Sequence, residues 1–157
     1  MVKSLQNLYK VIGVGEKKMA IIYCKNFHVS KTSLELQISE GETELSNKLK
    51  VLLNCGEHSL QFDFLILKLD VKMIYTMILD NWDELLEIGL WDSVEPSFSF
   101  SLFEIIYEDK KIYQFQFWID AGEFYAYRTT RSGIGITIYQ DRETIEQFAL
   151  QIKSEEI

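Results

Sequence analysis

Leu34, Leu36 and Ile38 alternate with Glu35 and Gln37, and this period of two predicts a half-buried β-strand over residues 33–39. Strands are predicted on the same grounds at 7–14 and 18–24, around a hairpin turn at Gly15-Glu16-Lys17. Two more, at 48–53 and 59–68, are joined through Asn54-Cys55-Gly56-Glu57. The period then changes. Val71, Ile74, Tyr75, Ile78, Leu79, Trp82, Leu85 and Leu86 fall three and four apart, which predicts one amphipathic helix over about 71–88. Asp70 is its expected N-cap and Gly89 its expected stop.

A second run of strands begins near Ser97. Phe98, Phe100 and Leu102 alternate with serines before the apolar phase flips to Phe103, Ile105 and Tyr107, and a bulge near Leu102 is the expected cause. Glu108-Asp109-Lys110-Lys111 and Asp120-Ala121-Gly122-Glu123 read as turns. Tyr113, Phe115, Phe117 and Ile119 share one strand face, and strands at 123–130 and 134–139 follow. Asp141 should cap a last helix, about 141–153, whose buried stripe is Ile145, Phe148, Ala149 and Ile152. There is no regular βαβ alternation. The fold class expected is α+β: a mainly antiparallel curved sheet or two-sheet sandwich with two packed helices, in a single domain over residues 1–157.

Composition narrows the functional classes. The two cysteines make no disulfide framework, and no apolar run reaches the length of a membrane span or a signal peptide. A cytoplasmic location is therefore expected. The net charge of −8 disfavours binding to nucleic acid phosphates and to anionic membranes, and is compatible with a basic protein partner.

Several chemistries have candidate residues. Cys24 and His28, with Cys55 and His58, form Cys-x3-His and Cys-x2-His pairs that could converge on tetrahedral zinc. Their spacing matches no zinc finger, so the reading preferred is two loop histidines and two core thiols, with no metal and no cofactor. A Cys–His catalytic pair needs a contact that spacing does not supply. Gly13-Val14-Gly15 and Gly133-Ile134-Gly135 lack the full phosphate-binding spacing and suit turns or close crossings better. Paired carboxylates on the first helix could serve glycoside hydrolysis, but such a row is more commonly a solvated face.

The charge is distributed unevenly. Residues 73–109 contain no Lys or Arg and nine acids, so this segment carries −9 and the remainder sums to +1. The partner-binding set expected from it is Asp80, Asp83, Glu84, Glu87, Asp92 and Glu95, with Trp91 as an exposed aromatic anchor. The competing reading is an amphipathic helix that is acidic outside and apolar inside.

One resemblance adds to this. Phe115-Gln116-Phe117-Trp118-Ile119-Asp120-Ala121-Gly122, continuing through Ile134-Gly135-Ile136-Thr137-Ile138 to the closing helix, resembles small acidic bacterial immunity proteins of the WapI type. The likeness is one of pattern, spans about half the chain and includes no signature motif. It implies an antiparallel body, a central helix bearing a Trp and a terminal amphipathic helix. It also implies a cytoplasmic protein that neutralises a secreted toxin, in many cases a basic nuclease. No inhibitory residue carries over. The other function class left open is a small-molecule or metal-binding module on a concave sheet, using Cys24, His28, Cys55 and His58.

Overall fold

Strict alternation builds the first sheet. Strands β1 (Ala20–Tyr23), β2 (Ser33–Glu40), β3 (Ser46–Cys55) and β4 (His58–Leu67) pair antiparallel in the order β1-β2-β3-β4. Their inward residues, Leu34 and Leu36 on β2 and Leu49, Val51 and Leu53 on β3, are buried. The computed structural model describes residues 19–93, 97–120 and 133–156. The strands expected at 7–14 and 123–130, with the turns at Gly15 and Gly122, lie outside the described residues. A single turn of helix, α1 (Phe27–Ser30), joins β1 to β2.

The second sheet has the order β5-β6-β7-β8, from β5 (Leu90–Asp92), β6 (Phe98–Tyr107), β7 (Lys110–Asp120) and β8 (Gly133–Gln140), again antiparallel. Two-residue turns fix the register of the two long hairpins. Tyr107 faces Lys110 across Glu108 and Asp109, at φ 48° and 62°. Positive φ at both central residues is the type I′ geometry that matches the twist of paired strands. Cys55 faces His58 across Gly56 and Glu57, with Gly56 at φ 61°.

The sheets face each other over an aromatic core. Phe98 of β6 stacks on Phe117 of β7 at 5.3 Å and meets Phe64 of β4 at 6.4 Å. Each fully buried Phe stabilises by about 1.5–3 kcal/mol relative to exposure. At one corner the sheets are joined directly: Lys25 N–H donates to Tyr139 O at 2.8 Å, and the Gln140 amide donates to Tyr23 O at 3.0 Å.

Among the described residues three longer helices cover this body: α2 (Lys68–Leu79), α3 (Trp82–Ile88) and α4 (Arg142–Ser154). α4 starts where expected, with Asp141 accepting from Thr144 N–H at 2.8 Å, and it buries Ile145, Phe148, Ala149 and Ile152. Phe148 meets Phe115 edge-on at 6.1 Å. Gln151 accepts from Ile21 N–H at 2.9 Å, so α4 also satisfies part of the edge of β1. No helix among the described residues is long and apolar enough to cross a membrane.

Four expectations are corrected. The helix expected over 71–88 is two helices, broken at Asp80 and Asn81. Asn81 leaves helical geometry at ψ 38°, and both residues are weak helix formers. Asp70 is not the N-cap. The helix starts at Lys68, directly off β4, and Asp70 is fully buried in its first turn, where the dipole favours a carboxylate. There is no bulge at Leu102, because the β6–β7 register runs unbroken from Phe98–Ile119 to Tyr107–Lys110. The apolar phase flips because β6 projects beyond the core. Ser99 and Ser101 are buried on the face that further along carries exposed Phe103 and Tyr107. Finally, α1 and β5 were not expected, being too short for a period to register.

Candidate interaction surface

The break between α2 and α3 sets the geometry of the acidic segment. Asp80 caps the end of α2, Asp83 and Glu84 lie in the first turn of α3, and Glu87 lies in its last. All four are exposed, while Trp82 and Leu85 between them are buried. The apolar stripe thus leaves the acids outside. Gly89 closes α3 at φ 73°, its N–H donating to Leu85 O at 2.9 Å.

Charge arrangement within α3 is partly unfavourable. Asp83 and Glu84 complement the positive N-terminus of the helix, but Glu87 stands at the negative end. Glu87 also follows Asp83 by four residues, a spacing at which like charges repel. No basic residue of α2's last turn or of α3 relieves this.

One cation approaches from elsewhere. Arg142, the first residue of α4, places its guanidinium 4.7 Å from the centroid of the Trp82 ring and donates to Glu146 at 2.8 Å. The bond to Glu146, helped by the negative charge of Glu146 and Asp83, raises the Arg142 pKa further above its ordinary value. Arg142 therefore borders the acidic surface on the Asp83 side. No local pattern signals this, because Arg142 and Trp82 are 60 positions apart.

The remaining members of the predicted set are placed differently. Asp92 is exposed at the end of β5. Trp91 is half-buried, its ring 5.1 Å from Phe100 and 5.9 Å from Phe98, so much of it is committed to the core. Glu95 lies outside the described residues.

The four thiol and imidazole side chains separate into two environments. Cys24 is buried, with its sulfur accepting from Tyr139 N–H at 3.5 Å, and His28 is exposed on α1. Cys55 and His58 instead share a cleft of about 300 Å³ with Thr32, Leu53, Leu60 and Ile136. Among the described residues no group of three or more His, Cys, Asp or Glu is placed to hold a metal ion. Sequence reasoning paired Cys55 with His58 but missed the cleft, whose other wall is β8, some 75 residues further along.

Comparison with models of known protein families and with curated proteins finds no match.

Proposed function

We propose that this protein is a non-catalytic interaction module of the immunity or inhibitor kind, which binds a basic protein partner through the acidic surface at the α2–α3 junction. The observation that carries this reading is the exposure of Asp80, Asp83, Glu84 and Glu87 around one helix break. The same helix retains Glu87 against both its dipole and its like-charged neighbours, and local rules broken without an evident structural gain tend to mark function. Such a field raises the encounter rate with a positively charged surface and disfavours acidic competitors. The resemblance to WapI-type immunity proteins fits this reading, which implies a cytoplasmic location. Trp91 contributes at most its exposed portion.

The test is affinity capture from the native cell extract with the wild-type protein and with D80N/D83N/E84Q/E87Q in parallel. A basic protein held by the wild type and lost from the variant supports the proposal. The same proteins on both baits contradict it.

A further inference from the structure

The far end of β6 carries a row of apolar side chains outside the core. Phe103, Ile105 and Tyr107 share one face of the strand, and Phe103 and Tyr107 are 45% and 62% exposed. Gly89, which ends α3, fixes where this row begins. Leu102 N–H donates to Gly89 O at 3.3 Å, and the Phe103 ring lies so near that a Cβ on Gly89 would stand 3.3 Å from it. The residue before, Ile88, is 51% exposed. The glycine that closes the acidic helix therefore also seats an aromatic ring beside the end of that helix. Residues 94–96 and 121–132 are reached from the opposite end of the sheet, where Asp92 faces Ser99 and Asp120 faces Gly133, whereas Tyr107 faces Lys110.

Charge selects what can cover this row. Ile88, Phe103, Ile105 and Tyr107 all belong to segment 73–109, which has nine acids and no Lys or Arg. Glu87 stands at the α3 end of the row, and Glu108 and Asp109 form the turn at the other. Lys111 is paired with Glu104 at 3.4 Å, and Lys110 follows Asp109 on β7. A second copy of this chain would set like charge against like charge, which disfavours association. A basic surface meets the acids while it covers the rings. Arginine suits both tasks, since its guanidinium stacks on aromatic faces and pairs bidentately with carboxylates. Apolar anchors inside a charged rim are the layout of a binding hot spot.

We infer that Phe103, with Ile88 and Tyr107, is the apolar anchor of the acidic surface, and that it receives an apolar side chain bordered by arginines on a basic partner protein. This rests on the proposed function and divides the work of the surface in two. The exposed acids of α2 and α3 set how fast the partner arrives, and the anchor sets how slowly it leaves.

The test uses the full chain, labelled with ¹⁵N, and two acetylated, amidated peptides of equal charge: Arg-Arg-Trp-Arg-Arg and its counterpart with a central glycine. The tryptophan peptide should bind about tenfold tighter, because only it buries an apolar side chain. It should also shift the Ile88, Gly89 and Phe103 amides. Phe103→Ser should erase the difference between the peptides. Tyr107→Ser, at the exposed hairpin tip, is the second variant should the first perturb folding, and it should reduce the difference. D80N/D83N/E84Q/E87Q should weaken both peptides and keep their ratio. Equal binding of the two peptides to the wild type, no binding of either, or a ratio unchanged in both serine variants would overturn the anchor. So would a dimer on sedimentation that shifts the same amides, since a second copy then covers the row. A carbodiimide cross-link from Glu87 to Lys3 or Lys10 within one chain would overturn it too, by assigning the surface to the chain's own first residues. The two failures are distinct. Unaltered binding by the quadruple variant counts against the acidic surface, and equal binding of the peptides counts against the anchor.

Discussion

The Arg142 guanidinium lies 4.7 Å from the centroid of the Trp82 ring, and this contact joins the C-terminal helix to the short acidic one. Trp82 is itself buried and meets Tyr113 edge-on at 4.9 Å. The stack therefore runs from α4 through α3 to the second sheet. An exposed cation–π contact contributes about 0.5–1 kcal/mol. Arg142→Gln should lower stability by about that amount, read as a reduced urea midpoint at unchanged slope. The same change removes the cation bordering Asp83, so association with a basic partner should become faster. A variant that loses stability and also associates more slowly would contradict this placement.

Glu87 tests whether α3 keeps an unfavourable charge. Glu87→Lys removes a like-charge pair with Asp83 and complements the helix C-terminus. It should stabilise by about 0.2–0.5 kcal/mol for the pair, measured as a higher urea midpoint. A lower midpoint would show that Glu87 makes a favourable local contact.

Asp141 gives a dependence on acid. The hydrogen bond from Thr144 N–H, opposed by partial burial, holds its carboxyl below the ordinary 3.8. A depressed native value means the cap stabilises fully above the unfolded value and is lost as pH falls through the native one. Asp141→Ala should cost about 1 kcal/mol at pH 7 and Asp141→Asn much less. The gap between wild type and Asp141→Ala should narrow below pH 4. A gap that is constant from pH 7 to pH 2 would refute the charged cap.

Tyr75 gives a dependence on alkali. Burial, then the hydrogen bond to Glu156 at 2.5 Å and its charge, push the phenol up to about 12. The raised value means the contribution is intact below the unfolded value near 10 and is lost as pH rises through about 12. Absorbance titration at alkaline pH should show one late-ionising tyrosine that Tyr75→Phe removes. An unchanged curve above pH 11 in that variant would contradict the assignment.

Legibility in the sequence followed the scale of each feature. Leu34, Leu36 and Ile38 declared β2 because a half-buried strand has one wet face. Asp141 declared α4 because an N-cap is chemically local. The break at Asp80–Asn81 escaped because two residues out of helix barely disturb a three-four spacing, so Ile78, Trp82 and Leu85 still read as one stripe. Residues 97–101 misled because serine can be buried in a covered strand without changing its polarity. The acids of the candidate surface were legible as a charge run, and their exposure followed from the stripe. The Arg142–Trp82 contact and the cleft between β8 and the Cys55–His58 hairpin were not legible, since both depend on elements brought together only by the tertiary fold.

Steering of a basic partner by Asp80, Asp83, Glu84 and Glu87 is read out in association kinetics. The measurement compares wild type with D80N/D83N/E84Q/E87Q against the captured partner, at low salt and at 1 M. Exposed surface changes of this kind usually move stability by no more than about 0.5 kcal/mol each, so folding is not the limiting factor. Screening shortens from about 10 Å at 0.1 M to about 3 Å at 1 M. Steering gives a slower on-rate for the variant at low salt, and rates that converge at 1 M as the wild type slows. Equal on-rates for the two proteins at low salt would contradict it and leave the four carboxylates as a solvated helix face.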